Sequence, residues 1–177
     1  NDPPILSTID DQEINEDGLF LYSIQASDVD GDQLEITIVG DSTLADFSVN
    51  SNLLSVTPIE NFNGDLQLTV FVSDSEFTDS TDFTLTVKAV NDAPIVSQPL
   101  EDIELLEDSG VATMVLSNVF SDVDGDNLVY EAEINLNGII FIDLDEENNL
   151  YIATLSNQFG GPITITVTAD DQQGATP

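Results

Sequence analysis

Hydrophobic residues in this chain tend to occupy every second position. Leu34, Ile36 and Ile38 alternate with polar neighbours, as do Leu66, Leu68, Val70 and Val72, and then Phe83, Leu85, Val87 and Ala89. Further along, Leu128, Tyr130, Ala132 and Ile134 alternate in the same way, as do Ile163, Ile165, Val167 and Ala169. A period of two marks a strand with one buried face. No long stretch carries the 3.6-residue period of a helix. In the first half the pattern predicts strands A over 5–14, B over 19–25, C over 34–39, D over 47–50, E over 53–57, F over 66–73 and G over 82–90. About seven short strands in about ninety residues, with Gly, Asn and Asp between them, predict an all-β fold, a Greek-key β-sandwich. In such a sandwich loops AB and EF lie at the pole where the chain leaves, and loops BC and FG at the pole where it enters. Outward threonines such as Thr84, Thr86, Thr164 and Thr166 read as ordinary solvent-side strand positions.

The pattern occurs twice. NDPP at Asn1 returns as NDAP at Asn91, and INEDG returns as LLEDSG, which aligns Glu16 with Glu107. SDVDGD, Ser27 to Asp32, recurs letter for letter at Ser121 to Asp126, and FVSD ending at Asp74 returns as VTAD ending at Asp170. Four landmarks in one order define two homologous units, residues 1–92 and 93–177. The second unit lacks a counterpart of strand G. After strand F comes DDQQGATP, which reads as an FG turn with no strand behind it. Either residues are missing there, or a strand from another chain fills the gap.

Charge narrows the function. The chain carries 35 acids against one base, Lys88, for a net charge of −34. Such a field repels nucleic acid and anionic membrane surfaces and favours cations. Disorder does not fit, because apolar residues make up 41% and fall in patterned runs. There is no cysteine for disulfides and no histidine for general-base or zinc chemistry. No apolar run has the length of a membrane span, so no membrane insertion is expected. No signal peptide is visible, and the opening NDPP reads as a linker, which points to a piece of a longer protein.

The acids gather at the predicted poles. Glu16 with Asp17 falls in the AB turn of unit one, Glu60 with Asn61 in its EF loop, and Asn91 with Asp92 in the linker. Asp122, Asp124 and Asp126 fall in loop BC of unit two, and Asp170 ends its strand F. These groups are expected to meet where the units join. Asp2, Asp28, Asp30, Asp32 and Asp74 repeat the arrangement at the start of unit one. Two carboxylates about 4 Å apart repel by roughly 1 kcal/mol even in water. A hard cation that takes six to eight oxygen ligands at about 2.3–2.6 Å, namely Ca2+, would offset that repulsion.

The ordered set NDAP, EDG, SDVDGD and a closing strand-F aspartate resembles the cadherin-like repeats of bacterial surface proteins. LSNVFSDVDGDNLVYEA in unit two is most similar to their dystroglycan-type branch. The resemblance covers essentially the whole chain and implies two tandem cadherin/immunoglobulin-like sandwiches. It implies calcium between successive repeats, on Glu16, Glu60, Asn91, Asp92, Asp122, Asp124 and Asp170, with Asp2, Asp28, Asp30 and Asp74 at the equivalent places of unit one. It further implies an extracellular or surface location and a rod stiffened by calcium for cell adhesion. Expected partners are neighbouring repeats, homophilic contacts or strand exchange, and cell-surface polysaccharide. The EF loop departs from the family, since PIENFNG offers Glu60 and little else, so one or two ions are expected at the junction rather than three. LSNQFGG has no acid, which leaves Glu107 and Asp108 largely alone.

Other readings fit less well. An EF-hand from Asp122 finds Glu133 at the right spacing, but its glycine is misplaced and a strand follows where a helix is required. A purely solvated acidic turn does not account for two identical loops beside further acids. Paired carboxylates can cleave glycosides, yet here both units carry the same acids by repeat position, so no enzyme is expected. A calcium-dependent polysaccharide-binding module of a secreted carbohydrate-active protein is the alternative function. With no Trp, and with Tyr22, Tyr130 and Tyr151 at strand positions, it ranks second.

Overall fold

A computed structural model describes residues 1–136 and 138–174. Every regular element among them is a strand, in two units, Asn1–Val90 and Asn91–Pro177.

Unit one contains β1 (Ile5–Leu6), β2 (Gln12–Asn15), β3 (Phe20–Ser23), β4 (Ala26–Ser27), β5 (Glu35–Val39), β6 (Ala45–Asn50), β7 (Leu53–Pro58), β8 (Gly64–Ser73) and β9 (Thr78–Lys88). One sheet has the order β2-β9-β8-β5 and the facing sheet β3-β7-β6. Predicted strand A is broken into two pieces that join different partners. β1 pairs antiparallel with β4, whereas β2 runs parallel to β9. Leu6 and Ile9 are both buried although three residues apart, a spacing that a single strand cannot satisfy, so the chain leaves its ladder between them. Strand B breaks at Ile24 in the same way, between β3 and β4.

The β8–β9 hairpin forms the centre of the unit, paired from Gly64 opposite Val87 to Ser73 opposite Thr78. Its inward face is sealed: Leu66 and Leu68 are 2% exposed, Val70, Val72 and Leu85 0%. Its outward face carries directly opposed polar pairs. Thr69 Oγ1 donates to Asp82 and Thr86 Oγ1 to Asp65, each at 2.7 Å. β9 starts earlier than the predicted 82–90 because the backbone ladder continues through Thr78 to Thr81, where no apolar alternation marks it.

Unit two contains β10 (Ile95–Val96), β11 (Val111–Val115), β12 (Phe120–Ser121), β13 (Val129–Ile134), β14 (Ile140–Leu144), β15 (Asn149–Thr154) and β16 (Ile165–Asp170). These repeat β1, β3, β4, β5, β6, β7 and β8 in order, with sheets β11-β15-β14 and β13-β16 and the short pair β10-β12. Neither β2 nor β9 has a strand counterpart among the described residues. The end of the expected FG turn, 175–177, lies outside them. The core is correspondingly smaller: among the described residues Leu116, Val119, Leu150 and Ile152 are its buried hydrophobics, against fourteen in unit one.

Candidate cation-binding poles

Each copy of SDVDGD leaves a short strand, β4 or β12, and turns into the next, β5 or β13. In unit one Asp28 Oδ1 accepts the amides of Asp30 (2.8 Å) and Asp32 (3.2 Å). In unit two Asp122 Oδ1 accepts the amide of Asp126 at 3.2 Å. The turn needs a left-handed residue, supplied by Gly31 (φ 78°) and Gly125 (φ 79°). The aspartate thus spends one oxygen on the loop's own backbone. Its other oxygen, Oδ2 of Asp28 and of Asp122, is buried and accepts no hydrogen bond.

Each of these aspartates clusters with more acid. One carboxylate oxygen each from Asp28, Asp30 and Asp32 lies within 4.8 Å of the others, and the same holds for Asp122, Asp124 and Asp126. Two ligands on opposite sides of a calcium ion are separated by roughly 5 Å, twice the metal–oxygen distance, so both triads have the dimensions of a calcium shell. Neighbouring segments close in on each loop alike. Asp2 N donates to Asp30 Oδ2 (2.7 Å) and Asp92 N to Asp124 Oδ2 (2.8 Å).

The turn after strand F completes the pole, and here the expected register is corrected. Asp74 is the first residue after β8. It is 6% exposed and accepts Asn1 Nδ2 at 3.0 Å. Its structural counterpart is Asp171, not Asp170. Asp171 is the first residue after β16, is 8% exposed and accepts Asn91 Nδ2 at 2.8 Å. Asp170 still belongs to β16, opposite Val129, is exposed, and accepts the amide of Gln172. It matches Ser73, which likewise accepts the amide two residues on. With two aspartates adjacent, DD at 170–171, the strand letters do not fix the register; burial separates the two.

Hydrogen bonding holds both aspartates below the usual carboxylate range. For Asp74 the Phe77 amide contributes most, with help from the Glu76 amide and Asn1. For Asp171 the Asn91 side chain leads, followed by the Gln173 amide.

The opposite pole of unit one is organised around Glu16, which is 6% exposed. Glu16 Oε1 accepts the Val90 amide at 2.5 Å, and Asn63 Nδ2 reaches Oε2 at 3.5 Å. Asp17 Oδ1 accepts the Asn61 amide at 3.0 Å. Glu60 lies exposed on the turn after β7 and joins none of these bonds, so the EF loop approaches Glu16 through Asn63 instead. The one basic side chain, Lys88, pairs with Glu13 at the exposed surface. No lysine, arginine or histidine remains to balance Glu16, Asp74 or Asp171. In unit two Glu107 is exposed, unlike its counterpart Glu16.

The fold and its acidic poles define a tandem of immunoglobulin-like, cadherin-like sandwiches. The model of the bacterial Ig domain matches residues 1–87 and again 91–177, and the chain belongs to that family in two tandem copies. Among solved structures, human protocadherin-24 EC1-2 is similar, with 15% identity and a TM-score of 0.54 over 95% of this chain and 94% of that one. An endo-fucoidan hydrolase of glycoside hydrolase family 107 shares 23% identity with a TM-score of 0.43, over 98% of this chain. The chain spans 27% of that hydrolase's length. No curated protein matches. No helix among the described residues is long and apolar enough to cross a membrane.

Proposed function

We infer that this chain is a calcium-binding tandem module of an extracellular bacterial surface protein, without enzymatic activity of its own. The observation that carries the reading is the orphaned, buried Oδ2 of Asp28 and of Asp122, each on an aspartate that clusters with two further carboxylates in an identical loop. A buried carboxylate oxygen without a donor is costly, and a cation is the partner this composition leaves. Asp28, Asp30 and Asp32 would hold an ion in unit one, and Asp122, Asp124 and Asp126 in unit two. Asp74 and Asp171 supply further negative charge to their own poles. Calcium fits better than zinc, for which the chain has no nitrogen or sulfur ligands. Neutralising the acids around the linker residues Asn91 and Asp92 is further proposed to restrain that linker, giving a calcium-stiffened spacer that serves adhesion.

Melting the full chain in chelator and in calcium, with magnesium constant, tests the reading. An ion bound only by the folded state at ten times its Kd contributes about 1.4 kcal/mol per site. A rise of several degrees in both melting steps is expected, along with larger dimensions and less variation in small-angle scattering. Superimposable melts would refute calcium binding. A melting shift without a scattering change would retain the sites and refute the stiffening.

A further inference from the structure

The outward faces of the two matching three-stranded sheets differ in kind. In β3-β7-β6 of unit one Asp46 stands opposite Thr57 and Ser48 opposite Ser55, a polar face. Aligning the buried Leu54 and Val56 of β7 with Leu150 and Ile152 of β15 puts Phe141 opposite Ala153 and Asp143 opposite Tyr151 at the same places of unit two. β11 extends both rows, with Val111 beside Ala153 and Thr113 beside Tyr151. Phe141 and Val111 are 58% and 63% exposed. Tyr22 and Tyr130 pack against the two cores, whereas Tyr151 alternates with the buried Leu150 and Ile152 and so lies on the outer face. Its hydroxyl donates to Asp145 Oδ2 at 2.9 Å, which fixes the ring on the sheet. That bond first, then desolvation and the charges of Asp145, Glu147 and Asp143, raise the hydroxyl above its ordinary value, so carboxylates border this side of the face.

We propose that this face of unit two binds an uncharged β-1,4-linked glycan laid flat across Phe141 and Tyr151. Size decides against a protein partner. Three strands about 4.8 Å apart and two rows about 7 Å apart make a platform on the order of 100 Å². Each partner in a stable protein interface contributes about 800 Å². Charge decides against an anionic glycan and against a second copy of this chain. Either would bring more negative charge to Asp143, Asp145 and Glu147 of a chain already at −34. An open face also cannot enclose a small apolar molecule, whose binding sites are concave. A β-1,4-linked chain of pyranoses fits what is left. Its ring hydroxyls are equatorial, so each sugar turns C–H groups toward the electron-rich face of an aromatic ring and hydroxyls toward the rim. Phe141 and Tyr151 are diagonal neighbours on adjacent strands, about 7–8 Å apart by position, within reach of one short oligosaccharide. Thr113 and Asp143, both exposed, flank Tyr151 on either side and offer a donor and an acceptor to those hydroxyls. None of these residues belongs to an SDVDGD loop, so the site stands apart from the calcium reading.

Titration of the full chain with cellohexaose and with xylohexaose, followed by amide NMR shifts in chelator and again in calcium, tests the site. Hexagalacturonate serves as the anionic control. Saturable shifts confined to β11, β14 and β15 are expected from one or both uncharged hexamers in either buffer, and none from hexagalacturonate. Phe141→Leu keeps an apolar side chain but removes the flat ring, and should weaken binding about tenfold. Phe141→Asp installs the residue type that unit one carries at position 46 and should abolish binding. An unchanged melting step of unit two shows that a variant is folded. Shifts elsewhere, or none at millimolar hexamer, overturn the proposal. So does an affinity that Phe141→Leu leaves intact, or binding that requires calcium or extends equally to hexagalacturonate. Sedimentation gives a second reading: self-association that Phe141→Asp abolishes would make this face a protein contact and overturn the glycan site.

Discussion

The side-chain amide of Asn91 donates to Oδ2 of Asp171 at 2.8 Å, as Asn1 donates to Asp74 at 3.0 Å in the preceding repeat. The first residue of each NDxP motif therefore ties the incoming chain to the turn after the sixth predicted strand. Each asparagine is followed by an aspartate whose amide binds the neighbouring loop, Asp2 to Asp30 and Asp92 to Asp124. Two consecutive residues thus anchor the start of each unit to both loops of its acidic pole.

Removing that anchor has a defined outcome. Asn91→Ala leaves Asp171 without its main donor and frees the start of unit two, so the melting step of unit two is expected to fall by roughly 4–8 °C in calcium-free buffer. The step of unit one should stay where it is. Asp170→Asn, one residue away and exposed, should leave both steps unchanged. Differential scanning calorimetry of the two variants checks the assignment of Asp171 over Asp170.

Acid should weaken the same anchors. Asp74 and Asp171 are held below the usual carboxylate range by donated hydrogen bonds, from the Phe77 amide first in one case and from Asn91 first in the other. A carboxylate with a depressed folded-state pKa contributes its full stabilisation at neutral pH. That contribution is lost as pH falls below the unfolded value of about 3.9 and through the lower folded one. Carboxyl carbon shifts of these two residues should therefore titrate below the ordinary aspartate value of about 3.9. Replacing Asp171 with Asn should flatten the loss of unit-two stability in that window.

Much of this architecture is legible from alternation alone, because a period of two buries one face whatever the tertiary context. Strands β5, β7, β8 and β9 follow it closely. The breaks at Ile9 and Ile24 were not legible, since a switch between sheets depends on which partner lies across, and partners are set by contacts distant in sequence. The acidic poles could be read as clusters, but not the division of labour within them. That Asp28 and Asp122 spend one oxygen on backbone amides and leave the other without a donor follows from the turn's dihedral angles. The role expected of Glu60 illustrates the converse: loop position suggested it, while the loop turns Asn63 toward Glu16 and leaves Glu60 in solvent.

The smaller core of unit two makes matched core substitutions unequal. Leu85→Ala removes a fully buried side chain from unit one and should cost about 2–5 kcal/mol by transfer and cavity terms. Ile165→Ala truncates a half-buried side chain that lines a groove and should cost less, since water already reaches part of it. Chemical denaturation of each variant measures the difference. Equal costs would mean that Ile165 is as enclosed as a core residue.

Substituting Asp28 or Asp122 by Asn separates the loop's architecture from its charge. The asparagine carbonyl can still accept the amides now bound by Asp28 Oδ1, those of Asp30 and Asp32. What is lost is the orphaned Oδ2, replaced by an amide nitrogen that cannot ligate a cation. Two effects of opposite sign follow. Without calcium the variant should be as stable as the parent or more so, because like charges about 4 Å apart repel by roughly 1–4 kcal/mol between bulk water and a protein surface. With calcium it should lose the ion-dependent gain of the altered unit only. Asp28→Asn would abolish the calcium shift of the first melting step and Asp122→Asn that of the second. Titration calorimetry should show one class of site lost in each variant and none left in the double variant. A variant that melts lower in chelator yet keeps its calcium shift would show that Asp28 or Asp122 is a structural turn residue and that the ion, if bound, sits elsewhere.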